Sequence, residues 1–98
     1  MARELDIPPA ALKDAESFEL IRVWAADQAQ HVTMIPNLTG GPGNFGALLA
    51  DLARHGARLY SQRENISLLE ALEKILSRMS KELKEQGRNV IGSIGHDA

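Results

Sequence analysis

From Phe45 to Tyr60 the chain reads FGALLADLARHGARLY. Its apolar positions Phe45, Leu48, Leu49, Leu52, Ala53, Gly56, Leu59 and Tyr60 recur at the three- and four-residue spacing of a helix with one buried face. Asp51, Arg54, His55 and Arg58 fall between them and share the opposite, wetter face. Asn44 stands where an N-cap belongs, so the pattern predicts a helix beginning at Phe45. It should stop near Ser61, with Gln62, Arg63 and Glu64 as a connector. A second helix is predicted from Ser67 to Gln86, opened by a capping box of Ser67 with Glu70. Along it Leu69, Leu72, Leu76, Met79 and Leu83 alternate spacings of three and four, the heptad pattern of a helix-packing seam. Two and a half heptads are short for a free coiled coil. The seam is therefore expected to pack along the central helix or along its own copy in a dimer.

Upstream the period changes. In ELIRVWAAD, Ile21, Val23 and Ala25 alternate with Arg22, Trp24 and Ala26, and Ile, Val and Trp favour strands. HVTMI, from His31 to Ile35, is the predicted antiparallel partner, with Asp27, Gln28, Ala29 and Gln30 as the turn. Pro36 closes that strand. Trp24 then lies on the face opposite Val23. Residues 15 to 20 fit helix and strand equally. Pro8 and Pro9 suit the first turn of a short helix that brings Ile7 and Leu12 to the core, after a frayed residues 1 to 6. Beyond Gly87 the segment RNVIGSIGHDA has no helical period, and a disordered tail over 87–98 is expected. The sum is an α+β fold in one domain, residues 1–86. It has a short N-terminal helix, an antiparallel β-hairpin and two antiparallel C-terminal helices packed on the sheet, with dimerisation as a way to extend that sheet.

Composition narrows the function classes. A chain of 98 residues buries only about two-thirds of its unfolded surface. With no Cys it has neither disulfides nor thiolate metal sites to add stability. Self-association is the remaining common route. The net charge of −2 carries no basic stripe, which speaks against nucleic acid. No apolar run approaches the roughly 20 residues that span a bilayer, and no signal-peptide core is present, so a cytoplasmic, non-membrane protein is expected.

Several patterns invite chemistry. Gly41, Gly43 and Gly46 spell G-x-G-x-x-G at the start of the central helix. The dinucleotide fingerprint also needs a parallel strand after that helix, carrying an acidic residue, and here another helix follows. What survives is anion binding at the helix start, by Gly41, Gly43 and Asn44, with Arg54, His55 and Arg58 assisting. Asp51 and His55 are four residues apart, a spacing that suits a metal, but two ligands are not a site and no metal or cofactor is predicted. The same polar face has no nucleophile paired with its histidine, so no catalytic residue is assigned and an enzyme is the less favoured reading. Trp24, Met34, Leu76 and Met79 are the candidate interface residues of a homodimer.

At HVTMIP, at FGALLADLARHGARLY, and upstream at PPAAL and IRVWAAD, the chain resembles a family of small bacterial proteins catalogued only as a domain of unknown function. The similarity runs from about Ile7 to Tyr60. It is most specific at His31-Val32 and at Ala50-Asp51-Leu52-Ala53-Arg54-His55. The resemblance implies a compact α+β module and carries no activity, ligand or site residue with it. The leading expectation is a small protein-interaction module, homodimeric and with protein partners of unknown identity. The alternative is a small-molecule or anion-binding domain using the glycine loop and Arg54, His55 and Arg58.

Overall fold

A computed structural model describes residues 2–36 and 39–97, with side chains through residue 85. Five elements follow one another: α1 (Pro9–Lys13), β1 (Ile21–Ala26), β2 (Ala29–Met34), α2 (Gly41–Glu64) and α3 (Leu68–Asp97). The class is α+β, as the change of hydrophobic period along the chain indicates. Two compact units divide the chain at Gly41, the first holding α1 and the hairpin, the second the two long helices.

In the first unit α1 is a single turn begun by Pro9, whose missing N–H falls among the groups left unpaired at a helix start. The Asp14 carboxylate accepts from the Glu16 N–H at 2.9 Å, and the Ser17 hydroxyl donates to the Ala11 carbonyl at 2.7 Å. That side-chain-stabilised turn settles residues 15 to 20 as neither helix nor strand. Ile7 and Leu12, expected on the core, are exposed.

The hairpin pairs β1 with β2 in the register Ile21–Met34, Val23–Val32, Trp24–His31 and Ala26–Ala29. Its turn is tighter than the pattern implies. Only Asp27 and Gln28 make it, both at positive φ (54° and 60°), the type I′ geometry whose twist matches that of the flanking strands. Ala29 and Gln30 therefore belong to β2 and not to the turn. One sheet face carries Ile21, Val23, Val32 and Met34; the other carries Arg22, Trp24 and His31.

In the second unit α2 starts at Gly41, four residues before the predicted Phe45, because Pro42 suits a first turn. It also runs to Glu64, absorbing the expected connector. Asn65 takes φ 54° at the position after the helix, and the Ile66 N–H returns to the Ser61 carbonyl at 3.3 Å, a Schellman closure. The Ser61 hydroxyl donates to the Ile66 carbonyl at 2.6 Å, locking the corner. Ser67 then caps α3 as the capping box predicts, its Oγ accepting from the Glu70 N–H at 3.0 Å.

α3 carries helical backbone on to Asp97, past Gly87, where the pattern would end it. Each glycine inside a helix costs about 1 kcal/mol, and Gly87, Gly92 and Gly95 all lie within this one. Helical backbone thus stands through Asp97 where a disordered tail over 87–98 is expected, and the side chains from residue 86 onward lie outside the described residues.

The two helices meet along small side chains. Ala57 and Ala71 are fully buried, at 0% and 2% exposure, and a Cβ at Gly56 would stand 3.7 Å from the Ile75 Cδ1. On α2 this seam keeps Gly56 of the predicted apolar row, and on α3 it lies beside the predicted one. On α2 it includes Ala57, which the apolar pattern omits, while Leu49, Leu52, Leu59 and Tyr60 are exposed. On α3 it runs through Ala71 and Ile75, beside the heptad row. The small residues Gly56, Ala57 and Ala71, and not the leucines, line this seam.

Candidate functional site

The glycine pattern opens α2 itself. Gly41 has φ +69°, where any larger residue is strained, but Gly43 and Gly46 lie inside the first turns of α2 with open space at their Cβ positions. Neither backbone conformation nor packing demands glycine at those two. Arg54, His55 and Arg58 sit together with Asp51 on the exposed face of the same helix. At 1.5 Å per residue, Asn44 and Arg54 stand about 15 Å apart along the axis, so the glycine entrance and the basic cluster do not converge on one small anion. Asp51 also has a different partner from the one its spacing suggests. Its Oδ1 accepts from Arg54 Nη1 at 2.8 Å, with both side chains well exposed, while His55 makes no such contact among the described residues. Nor do three His, Asp or Glu side chains come together as a metal-binding group among the described residues.

The four candidate interface residues fall on different surfaces. Trp24 is half-buried on the polar face of the hairpin, and Met34 is exposed on the opposite, apolar face. Leu76 and Met79 are exposed on α3 at 44% and 40%.

Around Trp24 the hairpin builds the most organised polar cluster in the first unit. The Arg22 guanidinium stands with Cζ 5.8 Å from the centroid of the indole, two residues along the same strand face. Glu19 holds it with both carboxylate oxygens, Nε to Oε1 at 2.9 Å and Nη2 to Oε2 at 3.2 Å, and Glu4 takes Nη1 at 3.1 Å. The hydrogen bond to Glu19, then its charge, raises the Arg22 pKa above the ordinary value. Opposite Trp24, His31 Nε2 lies 3.0 Å from the Ala26 carbonyl, a contact in which the ring nitrogen must carry the proton. With its charge satisfied twice over, Arg22 works as a brace for the indole and is not free for an anion. The alternation of strand residues places Arg22 beside Trp24 in the sequence. No sequence signal brings in Glu4, from the segment expected to fray.

Between α2 and α3 runs a groove of about 390 Å³, lined by Tyr60, Ile66, Ile75 and Met79 and edged by Lys74, Arg78 and Glu82. Its two cations are engaged: Arg78 with Glu82 at 2.8 Å, Lys74 with Glu70 at 3.3 Å. An apolar floor with neutralised edges suits a hydrophobic side chain better than a charged metabolite.

The fold and these surfaces define a small α+β module. The chain belongs to the family described as Domain of unknown function (DUF5076), whose model matches residues 4–86 and so takes in the helix beyond Tyr60. Among solved structures, one described as a "putative pyruvate dehydrogenase" from the photosynthetic bacterium Rhodopseudomonas palustrus CGA009 is 28% identical, with a TM-score of 0.67. The match covers 84% of this chain and 94% of that one. No curated protein matches the chain. Among the described residues, no helix is long and apolar enough to cross a membrane.

Proposed function

We propose that this protein is a self-associating interaction module, working in the cytoplasm as a homodimer. One observation carries the reading: among the described residues only Ala57 and Ala71 are buried, while large apolar side chains in both units, Val23, Val32, Leu52, Leu59, Leu69 and Leu83 among them, are half or more exposed. Two alanines are not a core. A domain of this length must hide well over half of its unfolded surface to hold together, and each large aliphatic side chain fully removed from water contributes roughly 1.5–3 kcal/mol. A second copy supplies that burial without further sequence, and closed two-fold pairing is the commonest form it takes. The absence of cysteine accords with a reducing compartment.

Sedimentation equilibrium across micromolar loading concentrations tests this directly. The expected result is twice the chain mass; a single species of 10.7 kDa would overturn the reading.

A further inference from the structure

We propose that the second copy seats on the heptad row of α3, helix against helix, along Leu69, Leu72, Leu76, Met79 and Leu83; this rests on the self-association reading above. Within the chain α2 covers the neighbouring face of α3, where Ala71 is buried and Ile75 lies against Gly56. Most of the heptad row is left open beside it: Leu69 is 66% exposed, Leu76 44%, Met79 40% and Leu83 67%, with Leu72 half-buried among them. Alternating spacings of three and four select a helix as partner, because only another helix presents holes at that interval. The polar side of α3 lies away from the row, with Glu70–Lys74 and Arg78–Glu82 already paired among themselves.

The area agrees with what a stable pair needs. With the half-exposed Leu68 beside it, the row offers roughly 500 Å² of apolar surface per copy, near the upper limit a monomer keeps in water. It is also the apolar share of an interface burying about 800 Å² per partner at about 60% apolar. A row of Leu and Met matched to its own copy needs no complementary charge.

Leu76 sits at the middle of the row. Leu76→Arg in the full chain is expected to raise the dimer dissociation constant at least about 30-fold, since a charge at the centre of a desolvated seam acts as a hot-spot lesion. Val32→Lys, on the apolar sheet face, should leave the dimer intact. Because Leu76→Arg can fail to fold, a second measurement uses the cysteine-free background. Leu69→Cys, Leu76→Cys and Leu83→Cys variants, oxidised singly and in mixtures, should give intermolecular disulfides. They should form at like positions if the helices run parallel, and between the first and last if antiparallel. A wild-type dimer that persists in Leu76→Arg, dissociates in Val32→Lys and forms no α3 crosslink would overturn this seat while leaving self-association standing. A monomeric wild type would overturn both.

Discussion

Gly56 of α2 faces Ile75 of α3 with room for one more carbon: a Cβ built there would lie 3.7 Å from the isoleucine Cδ1, an ordinary contact distance. The glycine is therefore not required by the approach of the two helices. Gly56→Ala should stabilise the protein by about 1 kcal/mol, through the helix-propensity difference and the added contact. Urea denaturation at fixed protein concentration reads the change, and a loss of stability would show that the helices close further than this distance.

The opposite holds one residue on. Ala57 is fully buried where α2 meets α3. Ala57→Leu should cost about 1–3 kcal/mol by overpacking. A neutral result in the same denaturation assay would mean that the seam is loose.

At the hairpin, Gln28 holds a left-handed φ of 60° that L side chains adopt at a cost of about 1–2 kcal/mol. Gln28→Gly creates an Asp-Gly type I′ turn and should raise stability by about 1 kcal/mol after the added flexibility of the unfolded chain is counted. The indole reports on this region, so the shift should appear when unfolding is followed by Trp24 fluorescence.

Ser67 closes the start of α3 through its hydroxyl. Ser67→Ala leaves the Glu70 N–H without that acceptor and should cost about 1 kcal/mol, whereas Ser67→Asp should retain the cap. Circular dichroism melts of the two variants at equal concentration separate the cap from any general effect of the position.

How much of this was legible in the sequence varies with the range of the interactions involved. The strand alternation around Trp24 and the Ser67–Glu70 box are local, and both are found where the residue pattern puts them. The tight turn at Asp27 and Gln28 was not legible, since type I′ turns usually announce themselves by a glycine and here glutamine bears the strain. The extent of α2 differs from the pattern at both ends: Asn44 suits an N-cap and Gln62 to Glu64 suit a connector, yet Pro42 and that polar run are each compatible with a helix terminus. The larger miss concerns packing. Periodicity marked the leucine rows as the buried faces, but the chain's internal seam follows the alanines and a glycine. The leucine rows are left for something else. As for the candidate site, spacing alone grouped the glycines with Arg54, His55 and Arg58, and the rise of a straight helix separates them.

Gly43 and Gly46 leave a mark on how the molecule opens. Each weakens the first turns of α2 by roughly 1 kcal/mol relative to alanine, and the open space at their Cβ positions shows no packing that repays it. Opening of this helix should therefore begin at its entrance and travel inward. Amide exchange would be fast up to about Ala47 and slow around Ala57, and a protease added at low dose would cut first at this entrance. The second unit thus begins with the softest turns of its first helix.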